Sequence, residues 1–307
     1  MASNLQAAET GAVGQKTWIW RAFAMPGVVW LIVLFVVPFY AVISVAMGDI
    51  DPIFLKPQPE WNPLAWDPSA FGAVFGDLFG GQLGKIALRT IGYVAAASLL
   101  CVAIGYPVAY FVARRVEKHK ALWLLALLAP FWINYLMRML AWVNLLSPDG
   151  WVNKAIALFG FPEQNWLSGR AIVVILGLVY GYIPYFILPL YAALDRIDTQ
   201  VIEAAKDLGA SPRQAFLRVT APMSKQGVLA GLVIIMLPMF GDYYTPNLLS
   251  GSPRTRMIGN QIDQFINQTT SQGGQGAALT LVLMAFVAIL MVYYLVNISR
   301  VTQQARE

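Results

Sequence analysis

Six stretches of this chain run the length of a bilayer with almost no charge, and nothing else in the sequence constrains the fold as tightly. They lie at about 25–47, 90–113, 121–146, 171–194, 226–249 and 276–298. The fourth, Ala171–Leu194, is 24 residues long and wholly uncharged. No charge falls between Ala22 and Gly48, or between Arg89 and Arg114. Arg138 interrupts the third run and Asp242 the fifth. A helix needs ~20 apolar residues to cross the hydrocarbon core. Inside it, backbone amides must be satisfied within a helix or a closed barrel. Barrel strands are shorter and alternate in polarity, and these runs do neither. The sequence therefore predicts an all-α polytopic membrane protein with six transmembrane helices. A length of 307 residues would allow two soluble domains, but only 12% of the residues are charged. A soluble chain carries roughly 25%.

Six spans place both termini on one side. With the termini cytoplasmic, thirteen Lys and Arg fall in inner segments and eight outside, counting the borderline Lys85, Arg89 and Arg138 as outer. Basic residues favour the cytoplasmic face, so the expected layout has both termini inside. It comprises a tail at 1–24, a single membrane domain at 25–298 with a cytoplasmic loop at 195–225, and a tail at 299–307. The basic isoelectric point, 9.3, is then a topology signal. Dispersed over loops, these residues do not form the single basic face that nucleic-acid binding needs. The first run is too long for a signal-peptide core and reads as an uncleaved anchor. Trp18, Trp20 and Phe23 before it suit the membrane interface. The lone Cys101 excludes an intrachain disulfide and fits a packing role.

Among the outer loops, 48–85 is rich in Pro, Trp and Asp and reads as irregular. Residues 147–170 contain a turn at Ser147–Gly150 and a short helix stopped by Gly160. Prolines recur inside the spans, at Pro38, Pro107, Pro130, Pro184, Pro189, Pro238 and Pro246. They mark either flexing, cavity-lining helices or ordinary fixed kinks.

The segment EAAKDLGASPRQAFLRVTAP, residues 203–222, is a charged, helix-forming stretch between two apolar runs. Asp198 or Thr199 suits an N-cap and Gly209 a stop. Ser211 then caps a second short helix with Pro212 at its first position, where no amide hydrogen is needed. That helix is expected to end near Pro222. Ala204 and Ala205 allow close approach of another surface, Phe216 offers an apolar anchor, and Glu203 and Arg213 offer register-fixing charges.

Glu203, Ala204, Ala205, Gly209, Phe216 and Pro222, with Val219 as the aliphatic before the proline, resemble the EAA loop of permeases in binding-protein-dependent ABC importers. Ala221 departs from the leucine common there. The resemblance implies that the second helix docks in a groove of a separate cytoplasmic ABC ATPase dimer and carries its motion to the membrane. It also implies residence in a bacterial inner membrane, a second related permease as heterodimer partner and an extracytoplasmic solute-binding protein. ATP and Mg would be bound by the ATPase. In this chain GGQLGKI at 80–86 lacks the spacing and the hydroxyl of a phosphate-binding loop. No cofactor, metal cluster or catalytic residue is read here, and His119, in a basic loop, reads as solvated.

PFWINYLMRMLAW at 130–142 and PMFGDYYTPNLL at 238–249 are similar to segments of the spermidine/putrescine permease group. Within them Asp242 is the only carboxylate placed inside an apparent span. Such a charge costs ~2.5–3.5 kcal/mol on insertion scales and must face water or a partner. On the pathway it would stabilise an ammonium group, helped by cation–π contacts from Tyr243, Tyr244, Trp132 and Tyr135, with Asn134 and Arg138 alongside. Alternatively Asp242 pairs with Arg138 or sits at the outer interface. The substrate reading is polyamines or related organic cations; the alternatives are another small solute or, failing the docking loop, a stand-alone secondary transporter.

Overall fold

In lipid an amide has no water to bond, so each apolar run closes its own hydrogen bonds and folds as helix. The computed structural model describes residues 17–54, 56–268 and 272–304, and within them the side chains of 20–54, 56–267 and 272–296. Helix α1 (Thr17–Leu31) passes through a wide π turn, Ile32–Val36, into α2 (Val37–Ala46). Then come α3 (Ser69–Gly80), α4 (Gln82–Arg114), α5 (Lys120–Leu128), α6 (Tyr135–Leu146) and α7 (Trp151–Leu158). The chain continues with α8 (Ala171–Asp195), α9 (Thr199–Asp207), α10 (Pro212–Ala215), a second π turn at Phe216–Thr220 and α11 (Ala221–Gly241). It closes with α12 (Tyr244–Leu249), α13 (Ile258–Asp263) and α14 (Gly273–Gln304).

Among the described residues, five continuous helical segments are long and apolar enough to cross a bilayer: Trp20–Ala46, Gln82–Arg114, Ala171–Asp195, Pro212–Gly241 and Gly273–Val296. The run expected as a single crossing at 121–146 is instead two arms, Lys120–Trp132 and Tyr135–Leu158, that meet at 83°. The break is local in origin. Asn134 turns extended, with ψ 140°, and its Oδ1 accepts the Leu136 amide at 2.9 Å to start a new helix. Counted as one bent span, the two arms bring the total to six.

The fifth span also differs from the expected 226–249. It begins at Pro212 and stops at Gly241. The second short helix of the charged loop therefore does not end near Pro222; it is the first turn of the span. A proline inside a helix lacks the amide hydrogen and crowds the carbonyl four residues back. The π turn just before Pro222 relieves this, since the Ala221 amide reaches back five residues to the Phe216 carbonyl. Pro38 is handled in the same way, with the Val37 amide bonded to the Ile32 carbonyl.

The helices also run past the expected tail boundaries, α1 beginning at Thr17 and α14 continuing to Gln304. The rest of both tails, 1–16 and 305–307, lies outside the described residues. The loop at 48–85, expected to be irregular, contains α3. Its first part is organised by Asp51, whose carboxylate accepts the Ile53 and Phe54 amides at 2.7 and 2.9 Å. Those bonds hold its pKa below the usual carboxylate value.

The core is formed by α4, α8 and α11. Lipid tails are as apolar as leucine, so membrane helices associate through close packing at small residues. Phe186 of α8 is fully buried between the other two helices, where Gly105 and Gly231 make room. A Cβ at either glycine would come within 2.7 Å of the Phe186 ring. Cys101, Leu178, Leu190, Ile235 and Met239 complete this seam, and Cys101 is a free, buried thiol. Tyr106 and Ser224 bridge α4 and α11 with a 2.8 Å hydrogen bond. By contrast α1 and the π turn after it leave Phe23, Trp30 and Phe35 exposed, an apolar face suited to lipid.

Candidate functional site: a break in the fifth span and an elbow at its other end

Two polar features sit at the ends of the helical segment Pro212–Gly241. They are separated by the 21 residues of α11, ~30 Å at the helical rise of about 1.5 Å per residue.

At the first, α11 stops at Gly241 and α12 starts at Tyr244. Asp242 organises the junction. Its Oδ1 accepts the Thr245 amide at 3.0 Å, which caps α12. Its Oδ2 accepts the Thr245 hydroxyl at 2.5 Å, the Tyr135 hydroxyl at 3.0 Å and the Tyr182 hydroxyl at 3.2 Å. A carboxylate takes about four such bonds. The side chain, 7% exposed, therefore keeps its charge off the lipid by receiving fixed protein donors. It makes no ion pair: among the described residues the one pair is Lys120–Asp195, at 2.7 Å on the opposite side of the span. The alternative in which Asp242 pairs with Arg138 is thereby corrected. Arg138 spends its charge on aromatic faces, with Cζ 4.1 Å from the Phe131 ring centroid, 5.4 Å from that of Tyr135 and 5.8 Å from that of Tyr180.

A cavity of about 320 Å³ opens here, lined by Tyr135, Arg138, Tyr182, Tyr185, Asp242 and Tyr243 among others. Of the residues singled out from sequence, Tyr135, Arg138, Asp242 and Tyr243 meet in it, with Tyr244 beside them. Trp132 and Asn134 do not line it. Trp132 is 77% exposed beyond the break, and Asn134 is committed to capping α6. Sequence reasoning missed Tyr182, Tyr185, Thr245 and the role of Phe131. The legible signal was the three tyrosines within six residues of α8, at 180, 182 and 185. A buried tyrosine hydroxyl needs a partner, and a carboxylate in the next span was there to serve.

At the second feature, α9 and the start of the fifth span form an elbow. Asp198 caps α9 by accepting the Gln200 amide at 3.0 Å. Gly209 ends it at φ +87°, a left-handed conformation that favours glycine. Ser211 and Gln214 form a reciprocal capping box, with the Ser211 amide donating to Gln214 Oε1 at 2.9 Å and the Gln214 amide donating to Ser211 Oγ at 3.3 Å. Glu203, Ala204, Ser211, Arg213 and Pro222 are exposed, and Ala205 is half-buried.

Phe216, expected to face outward as an anchor, is turned inward. Its ring meets Tyr106 and Tyr110 of α4 edge-on, at 5.6 Å from each. The reason is rotational: at the start of the wide turn Phe216 falls on the face toward α4, next to the buried Ala215, and Leu217 falls outside. The most exposed apolar groups of the elbow are Leu208 and Leu217, at 90% and 66% exposure. The elbow is tied to the bundle where Arg114 donates to the Ile197 carbonyl at 2.6 Å.

The family model described as binding-protein-dependent transport system inner membrane component matches residues 13–302. Among curated relatives, the spermidine/putrescine transport system permease protein PotB of Escherichia coli is 34% identical over 214 residues, covering 68% of this chain and 76% of that protein. The protein of the same name from Haemophilus influenzae is 33% identical over 224 residues, covering 72% and 77%. A chain of the bacterial alginate ABC transporter, solved with an alginate pentasaccharide-bound periplasmic protein, superimposes with a TM-score of 0.72. It covers 91% of this chain and 93% of its own length at 16% identity, a likeness of fold. With a family match spanning nearly the whole chain and bilayer-length helices to go with it, this protein belongs to the inner membrane components of binding-protein-dependent transport systems.

Proposed function

We propose that the chain is the permease of an ATP-driven importer of polyamines or related organic cations, working beside a second, non-identical permease. The observation that carries the substrate class is its identity, over two thirds of its length, with permeases named for spermidine and putrescine. The cavity at Asp242 supports that reading by its chemistry. Five tyrosines line it beside Arg138, ring faces attract ammonium groups, and its carboxylate carries no paired cation.

In this reading the termini and the elbow face the cytoplasm, in keeping with the distribution of basic residues. An ATPase dimer that binds ATP and Mg grips the elbow through Leu208, Leu217, Glu203, Ala204 and Arg213. Ala205, Gly209, Ser211 and Pro222 set its shape, and Phe216 clamps it to α4. Because α10 runs without interruption into α11, a displacement of the elbow moves the far end of that helix, where Asp242 sits. Tight selection then belongs to an external binding protein, since a strong site in the membrane would slow release.

The test is ATP-dependent uptake of labelled putrescine and spermidine by the reconstituted complex. Accumulation that needs ATP and the binding protein is the expected result, with Asp242→Asn reducing it. Uptake by the isolated chain without an ATPase would overturn the reading, and uptake untouched by Asp242→Asn would remove that residue from the pathway.

A further inference from the structure

Between the bent third span and α8 lies a helix with an apolar side that nothing in the described chain covers. Trp151, Lys154, Ala155 and Leu158 follow one another at spacings of three or four on α7, hence along one face, and all four are exposed. Leu158 and Phe159 are 86% and 81% exposed, with Trp151 and Phe161 bare beside them. The opposite face is held fast. Asn153, 2% exposed, donates from Nδ2 to the Pro148 and Gln164 carbonyls, each at 3.0 Å. Its Oδ1 accepts the Gln164 amide at 3.1 Å and the Trp166 indole at 2.9 Å. Pro148 lies just past the end of α6 and Trp166 just before the start of α8. One side chain thus ties α7 to the points where two apolar helices end.

That level is a membrane boundary. The bilayer-length helix α8 starts at Ala171, and directly before it Arg170 stacks on Trp166, with Cζ 5.3 Å from the ring centroid. Tryptophan and basic residues anchor spans at the headgroups. Lys154 repeats the pattern, its Nζ 5.3 Å from the Trp151 ring centroid and without a carboxylate partner among the described residues. A protein docking face has a polar rim and is depleted in lysine. This stripe offers bare rings, a leucine and one ammonium group, the composition of a helix that lies in a bilayer surface. The bend gives such a helix a task. With 12 residues, α6 is ~18 Å long at the helical rise, against a hydrocarbon core of ~30 Å, so its own length does not fix its depth. Yet it carries Tyr135 and Arg138 into the cavity. We propose that α7 is an interfacial anchor that binds the lipid surface. Trp151, Leu158, Phe159 and Phe161 enter the boundary between headgroups and acyl chains, Lys154 pairs with lipid phosphate, and Asn153 passes the fixed depth on to α6.

The experiment uses the full chain with Cys101→Ala, reconstituted in vesicles of phosphatidylcholine and phosphatidylglycerol. A nitrobenzoxadiazole label is placed at Leu158→Cys, or at Phe161→Cys if that variant fails to insert. A second chain carries it at Leu208→Cys, on the exposed elbow, as the water-facing reference. At Leu158 the label is expected to be quenched by lipids that bear a nitroxide near the headgroup and to be shielded from aqueous iodide several-fold better than at Leu208. Lys154→Gln is expected to lower the ratio of lipid-seated to free helix about fivefold, the worth of one basic residue at an anionic surface. Iodide access at Leu158 equal to that at Leu208 overturns the inference. So does shielding that appears only once a solute-binding protein and the partner subunits are added, which would make the stripe a protein docking face. An unchanged ratio in Lys154→Gln overturns the phosphate contact.

Discussion

Replacing Phe216 with alanine separates two roles that a sequence alone merges, gripping a partner and holding the elbow to the bundle. The ring makes two edge-on contacts, with Tyr106 and Tyr110, each at 5.6 Å. Pairs of this kind contribute ~0.5–1.5 kcal/mol each beyond the area they bury. Losing both costs ~1–3 kcal/mol, which is about 5–150-fold in the equilibrium between an elbow held on α4 and one that swings free. The exposed surface of the elbow, including Leu208 and Leu217, is left unchanged. Phe216→Ala is therefore expected to keep binding the ATPase in a pull-down from detergent while the amount of solute moved per ATP hydrolysed falls in proteoliposomes. Leu217→Ala is expected to do the reverse, weakening ATPase binding first. If Phe216→Ala strips the ATPase and Leu217→Ala does not, or if transport per ATP is unchanged in Phe216→Ala, the inward clamp is refuted.

Three further outcomes follow from the packing. Gly231→Ala places a methyl 2.7 Å from the Phe186 ring and 3.0 Å from its carbonyl oxygen, so overpacking by about 1–3 kcal/mol is expected; the melting temperature of the solubilised chain should drop and recover in part with Phe186→Leu. Thr245→Val removes the 2.5 Å hydroxyl bond to Asp242 and should cost ~1.5–3 kcal/mol, the range for hydrogen bonds to charged groups, read by thermal unfolding; an unshifted melt would mean that Asp242 is not held as described. Ser211→Ala breaks the capping box and should cost ~0.5–2 kcal/mol of local helix stability, seen as faster amide exchange at Gln214 and restored by Ser211→Asp.

Much of the architecture was legible because it answers to local rules. Five of the expected spans appear as continuous helices, since an uncharged run in lipid has no other way to satisfy its amides. Asp198, Gly209, Ser211 and Pro212 act where their types predicted, as cap, stop, cap and first turn, because these roles depend on one or two neighbouring residues. The bend at Asn134 was missed although asparagine after PFWI is a good cap. The long apolar run hid it, and the 83° between the two arms is not written in any one residue.

The chain by itself thus determined which segments enter the membrane, how the charged loop is capped, and that a carboxylate near the end of the fifth apolar run needs water or a partner. Only the tertiary structure decided that Tyr182 of one span and Tyr135 of another donate to Asp242, that Arg138 lies against Phe131, and that Phe216 points inward. Helix formation needs contacts three to five residues apart, which the sequence order supplies. The direction a side chain takes depends on the rotation of its helix against others, and that is fixed by close contacts such as Gly105 and Gly231 on Phe186, between residues that lie far apart in the sequence.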